Sequence, residues 1–156
     1  MCLHVLKIHE GHGNQPFVAK EDLKVWKVLN HFNYWAFDDN TGEVVQSSGI
    51  KTPYRGVIVN FTAEHKCVIS ANYLPKGFMY VDTRGDVNAG VHGFYVEPAP
   101  TNSYHGIEVH PAIIPKGTQF FLGDNNEVVA EKMIVYETEL FCPLGIEEID
   151  INTITF

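Results

Sequence analysis

Long apolar runs are missing from this chain. None approaches the roughly 18 residues that a membrane-spanning helix requires, and the first residues lack the charged region and apolar core of a secretory leader. Cysteine is scarce: Cys2, Cys67 and Cys142 are widely spaced, odd in number and form no CxxC pair. That argues against a disulfide framework and for a reducing cytoplasm. Basic residues are few, 11 against 19 acidic ones, giving a net charge of −8. A general nucleic-acid binder needs a basic stripe to neutralise phosphates, so that class is not expected. A basic protein partner is permitted, including one whose usual ligand is nucleic acid. Charge of this size also keeps a small domain soluble. Helical periodicity is absent as well, since no stretch of ten residues repeats its apolar positions every three to four.

What is present is enough for a core. The 156 residues, 45% of them apolar, form one domain spanning 1–156 that would bury about 68–70% of its unfolded surface without metal or disulfide staples. Short β-branched and aromatic runs recur. "MCLHVLKI" alternates weakly, and "HEGHGNQP" after it reads as a turn-rich loop. "FVAKEDLKVWKVLN" predicts a helical turn at Ala19 to Leu23, then a strand with Val25, Lys27 and Leu29 on one face. A turn at Asn40–Gly42 leads into a strand at 43–47. "VIVNF" (57–61) and "KCVIS" (66–70) are expected as a hairpin or as neighbouring strands. "MYVD" (79–82) and "VHGFYV" (91–96) are further strands, the glycine of the second marking a bulge or a close backbone approach.

The most orderly stretch is "IIPKGTQFFLGDNNEVVAEKMIV", residues 113 to 135. Pro115 to Gly117 predicts one turn and "GDNN" the next. "EVVAEKMIVY" is the returning strand, with Glu131 and Lys132 as a bulge or an exposed patch. The tail, 140–156, adds an edge strand or wraps the domain. The fold class expected is α+β, predominantly β: a single compact domain of mostly antiparallel strands with few short helices.

Candidate chemistry is thin. His4, His9 and His12 are close in sequence, but zinc needs three or four converging ligands and no Cys partner or i, i+4 pair accompanies them. His105 and His110, five apart, point to opposite faces of a strand. Cys2 would pair a thiol with an amine only if Met1 were removed, and Leu3 stands where such enzymes carry glycine. "RGD" at Arg84 to Asp86 reads as a turn, and "GDNNE" as turn chemistry rather than a calcium loop. "ETE" at Glu137 to Glu139 matches the spaced glutamates of ADP-ribosyltransferases, for which Arg55 is the available arginine, but the serine-rich strand is absent. His92, between Gly90 and Gly93, is the histidine that a ligand could approach. No cofactor or metal site is expected.

Four blocks, "EDLKVWKVLN", "TPYRG", "GVHGFYV" and the 113–135 stretch, occur in an order that resembles a family of small proteins of phages, prophages and gut bacteria. That family's pattern runs from "DxxVYKVL" through "SPY/TPYR" and "GFHxF" to "IPKGTxYxxGxxxEIVSxxII". The resemblance covers about residues 18–136, and its last block is the most specific. "GVHGF" replaces "GFH", with His92 the matching histidine, and "EPAPTNSYHG" replaces the short helix expected after it. The resemblance implies a phage-associated protein acting in the cytoplasm of a bacterial host, without supplying a reaction.

The expectation is therefore a non-catalytic binding protein of the counter-defence type. It would engage a host protein or a small signalling nucleotide, with no general nucleic-acid binding and no membrane. Tyr54, Arg55, His92 and Phe94 are the expected ligand-binding residues. Arg55 would grip a phosphate or carboxylate, Tyr54 and Phe94 would stack on a ring, and His92 would donate a hydrogen bond. The alternatives are a small ADP-ribosyltransferase-like enzyme using Arg55, His92 and Glu137 or Glu139, and a structural or assembly protein.

Overall fold

A computed structural model describes residues 3–53, 56–71, 79–87, 89–98 and 107–152. The first strands are β1 (Leu3–His4), β2 (Phe17–Val18), β3 (Leu23–Phe37), β4 (Val44–Lys51), β5 (Ile58–Val59) and β6 (Lys66–Ser70). Then come β7 (Asp86–Val87), β8 (Val91–Phe94), β9 (Ile107–Ile114) and β10 (Gln119–Leu122). β11 (Glu127–Ala130), β12 (Lys132–Tyr136) and β13 (Glu147–Glu148) complete the set. Helix among the described residues is limited to 3-10 turns at Lys7–His12 and Asp124–Asn126. The domain is mostly antiparallel β, as the alternating runs predict. Its main sheet runs β2-β10-β11-β8-β3-β9-β12-β6; β4 and β13 also pair with β3, and β5 pairs with β4. β13 joins β3 in parallel. β1 and β7 form a separate small ladder.

Period-two alternation puts Val25 and Leu29 of β3 on one face, with Ala112 and Ile114 of β9 beside them. Phe17, from one end of the strand order, and Ile69, from the other, belong to the same buried cluster. The sheet therefore curls until its ends share one core. On the outer face, β1 and β7 cover Phe121 and Val129 with Leu3 and Val87. The tail covers Ile113 and Tyr136 with Cys142 and Ile146.

The 113–135 stretch is architecture, but not one hairpin. β9 pairs with β3 and β12, while β10 pairs with β2 and β11, so the strands on either side of Pro115–Gly117 are not partners. The hairpin is β10–β11, turned by Asn125 and Asn126 in the left-handed region (φ 60° and 62°), which Asn tolerates. Glu131 is the corner where the chain leaves β8 and β10 for β6 and β9. Its N–H donates to Gln119 O and its carbonyl accepts from Ala71 N–H.

Three local expectations fail for tertiary reasons. Ala19 to Leu23 is not helical, because Ala19 exchanges backbone hydrogen bonds with Gly117 and Thr118 in the 115–118 turn. Residues 79–82 are not a strand; the Asp82 carboxylate accepts from the N–H groups of Arg84 and Asp86 and makes the "RGD" turn instead. β5 and β6 are neither a hairpin nor neighbours, since β5 pairs with β4 and β6 with β12. The loop expected at residues 9–16 begins inside the 3-10 turn at Lys7–His12, closed by left-handed Gly13. That turn buries His9, which stacks on Phe17 at 4.2 Å and accepts from Leu122 N–H at 3.0 Å through Nε2. His9 is thus a packing residue, and His4 is held by Asp86 at 2.8 Å.

Gly93 confirms a close backbone approach. A Cβ there would stand 2.7 Å from Trp26 O and 3.1 Å from Met133 Cε, and the first of these is backbone. Gly93→Ala is expected to destabilise the fold by about 1–3 kcal/mol through overpacking. Gly11→Ala, with open space around it, is expected to stay within about 0.5 kcal/mol. Urea denaturation of the two variants checks this, and equal midpoints would refute it.

Candidate functional site

Of the residues expected to bind ligand, Tyr54 and Arg55 lie outside the described residues. His92 and Phe94 share one face of β8, turned away from the core cluster that holds Val91 and Tyr95. His92 registers opposite Val129, and Phe94 opposite both Glu127 and Trp26. The structure thus keeps His92 and Phe94 together and sets Phe94 beside Trp26. It does not bring His92 to Glu137 or Glu139. β3 and β9 intervene between β8 and β12, three strand spacings or roughly 14 Å.

A cleft of about 380 Å³ lies near Trp26. β3 supplies Trp26; β9 supplies Glu108, His110 and Pro111; the segment after β8 supplies Glu97; and the turn after β12 supplies Glu137 and Glu139. Trp26 is buried, and its indole N–H has no hydrogen-bond partner among the described residues. Strand register gathers these groups. Lys24 and Trp26 of β3 stand opposite Ile113 and Pro111 of β9, and β12 ends where β9 begins its ladder.

Glu108 is the hub. Its Oε1 lies 2.6 Å from His31 Nε2 and its Oε2 lies 2.9 Å from His110 Nε2. Burial pushes the Glu108 carboxyl upward, but the hydrogen bonds and charges of His31 and His110 outweigh it and hold the group below the ordinary glutamate range. His110 is only 6% exposed. Its Nδ1 faces the carbonyl oxygens of Tyr136 at 3.2 Å and Glu137 at 3.0 Å, and Phe61 lies 5.6 Å from its ring. Acceptors therefore face both ring nitrogens.

The other carboxylates are tied in turn. Glu137 Oε2 lies 2.6 Å from His65 Nδ1, and the His65 ring stacks on Phe141 at 3.8 Å. Lys24 donates to Glu139 Oε2 at 2.8 Å and sits 5.8 Å from the Trp26 ring centre. Burial pulls the Lys24 ammonium down, yet Glu139 and Cys142 leave it raised overall. Glu97 has no ion pair with a described residue. No group of three or more His, Cys, Asp or Glu side chains could hold a metal ion among the described residues. Lys24 is thus the cation that the Trp26 ring and Glu139 hold.

His110 was weighed in the sequence only against His105, and its pairing with Glu108 went unread, although a spacing of two on a strand is itself a same-face signal. His31 joins them only through tertiary placement, so nothing local to it could have shown the contact.

Lys27 is the odd group on the inner face. It stands between Val25 and Leu29, opposite His110 in register, and is 3% exposed. Burial alone lowers its ammonium to about 8, with no carboxylate offsetting the cost.

Two pH effects follow. Because the Glu108 pKa is depressed in the folded state, its contribution is fully present above the ordinary glutamate value and is lost as pH falls from there through the lower folded value. Glu108→Gln should flatten the fall of melting temperature on acidification, and an unchanged slope would refute the hub. Lys27 has the opposite sign of cost: below about pH 8 the folded state carries a buried charge, and the cost fades as pH rises to the ordinary lysine value of 10.5. Lys27→Met should therefore gain about 3 kcal/mol more at pH 7 than at the upper end of that window. Denaturant titrations at the two pH values measure the difference.

No family model, curated protein or solved structure matches this chain.

Proposed function

We propose that this chain is a non-catalytic binding protein that takes a basic side chain of a partner protein into the cleft beside Trp26. The observation that carries the reading is the placement of Glu97, Glu137 and Glu139 around one cleft with Trp26 and Pro111. A guanidinium or ammonium gains from the carboxylates there. Most of these carboxylates already have partners in the protein, so an incoming cation meets oriented groups rather than mobile ones. The net charge of −8 extends the same preference over the surface. A phosphate-bearing nucleotide fits this cavity poorly, because like charges oppose it. The resemblance of the strand blocks to phage and prophage proteins supports a bacterial host protein as the partner and counter-defence as the setting.

The enzyme reading draws less support. An ADP-ribosyltransferase-like site requires His92 and the 137–139 glutamates in one place, and β3 and β9 stand between β8 and the end of β12 that leads to those glutamates.

Calorimetric titration with an arginine- and lysine-rich peptide, an acidic peptide and a set of nucleotides tests the proposal. The basic peptide is expected to bind, more weakly as salt rises. The double variant Glu97→Gln/Glu139→Gln should weaken it by about tenfold, or about 1.4 kcal/mol. Glu97 makes the variant informative, since no ion pair with a described residue is broken there. Binding of a nucleotide without binding of the basic peptide would overturn the proposal.

A further inference from the structure

The inner face of the curled sheet carries an amine that the packing does not use. Lys27 stands on β3 between the fully buried Val25 and Leu29 and is itself 3% exposed. Its cross-strand neighbour is His110, and the next pair on that face is Leu29 with Glu108. His110 does not serve it: Nδ1 faces the carbonyls of Tyr136 and Glu137, and Nε2 lies against Glu108. No hydrogen bond, ion pair or neighbouring charge joins the Lys27 ammonium to a described residue. A cation so placed costs the fold stability, without the partner that usually offsets burial.

Its nitrogen is nevertheless open. Among the described residues, the fully buried side-chain polar atoms without a partner are Trp26 Nε1, Asn30 Oδ1 and Thr118 Oγ1. Lys27 Nζ is equally unpartnered and is not one of them, so the little surface that the residue keeps includes its nitrogen. Exposure along this face rises to 43% at Glu108 and 41% at His31, so solvent lies on that side. Burial lowers the ammonium to about 8. At pH 7 roughly a tenth is then free amine, on the order of 300-fold more than for a lysine at its ordinary value.

We propose that Lys27 is a carbonyl-capturing lysine, which forms an imine with a small apolar aldehyde entering from the Glu108 end of the inner face. A lysine desolvated among apolar side chains is a usual form of this nucleophile. The Nζ lone pair attacks the carbonyl carbon, a proton passes from nitrogen to the carbonyl oxygen, and loss of water leaves C=N. One amine and one aldehyde give one imine and one water, with no oxidant or reductant. The surroundings select a neutral ligand. A carboxylate or phosphate would lose hydration among apolar side chains and pass Glu108, and β9 supplies no Arg or Lys to receive it. The site is separate from the cleft reading, since Lys27 and Trp26 point to opposite faces of β3.

Reductive trapping on the whole chain tests this. The protein at pH 7 is treated with butanal and sodium cyanoborohydride, which reduces an imine to a stable amine, and adducts are mapped by peptide mass spectrometry. Restricted access offsets part of the gain in free amine, and Lys27 is expected to be labelled at least about fivefold faster than the exposed Lys116 and Lys132. Mapping separates this adduct from one at the α-amino group. Lys27→Met, which should fold at least as well as the parent, is expected to lose the adduct and leave Lys116 labelling unchanged. Glyoxylate, an aldehyde that carries a carboxylate, should label Lys27 at least about fivefold less than butanal does, each relative to Lys116. Labelling of Lys27 no faster than Lys116, or only in urea, would overturn the proposal and leave Lys27 a packing residue. So would a preference for glyoxylate, which would assign the position to an anion.

Discussion

The backbone ladder of β3 is the constraint on which the rest depends. One strand of 15 residues hydrogen-bonds with β4, β8, β9 and β13, and no other strand has so many partners among the described residues. Its register with β9 places Ala112 beside Val25 in the core and Pro111 beside Trp26 at the cleft. A slip of one residue would reverse both faces at once. Core and cleft are therefore two sides of a single pairing. The contact of Gly93 with Trp26 O fixes β8 on the same strand from the other side.

The polar groups follow from that frame. Side chains that alternate on β9 bring Glu108 and His110 to the same face, and β3 contributes His31. The turn after β12 brings Glu137 close enough for its carbonyl to meet the buried imidazole. The Glu108 hub therefore joins three separate parts of the chain, and Glu137 brings in His65 as a fourth. Polar groups so connected are held in orientation.

Much of the fold was legible in the sequence. β-branched runs and turn residues located β3, β4, β6, β8, β9, β10 and β11, and the Asn-rich turn at 124–126 behaves as its chemistry demands. Pairing was less legible. Pro115–Gly117 looks like a hairpin turn, but whether it folds β9 onto β10 depends on partners elsewhere, and β3 and β11 take those edges. The Ala19–Leu23 segment lost its helix to a turn near residue 117, which no local window contains. The site was the least legible part. His92 was noticed for its glycine neighbours, whereas those glycines serve close packing against Val129 and Trp26. The contact between His31 and Glu108 spans 77 positions, 108 minus 31, and has no local signature.

The order of synthesis gives β3 a further consequence. Its partners in the sheet, β8 and β9, are made long after it, while β4 follows at once. An emerging chain can satisfy the backbone of β3 only by pairing it with β4, and only along its outer half. Val25, Trp26 and Leu29 must wait, unpaired, for residues 91–114 to appear. Contacts so distant in sequence slow folding and leave an apolar strand exposed meanwhile. The strand that organises the finished sheet is thus the one that the nascent chain must shelter longest.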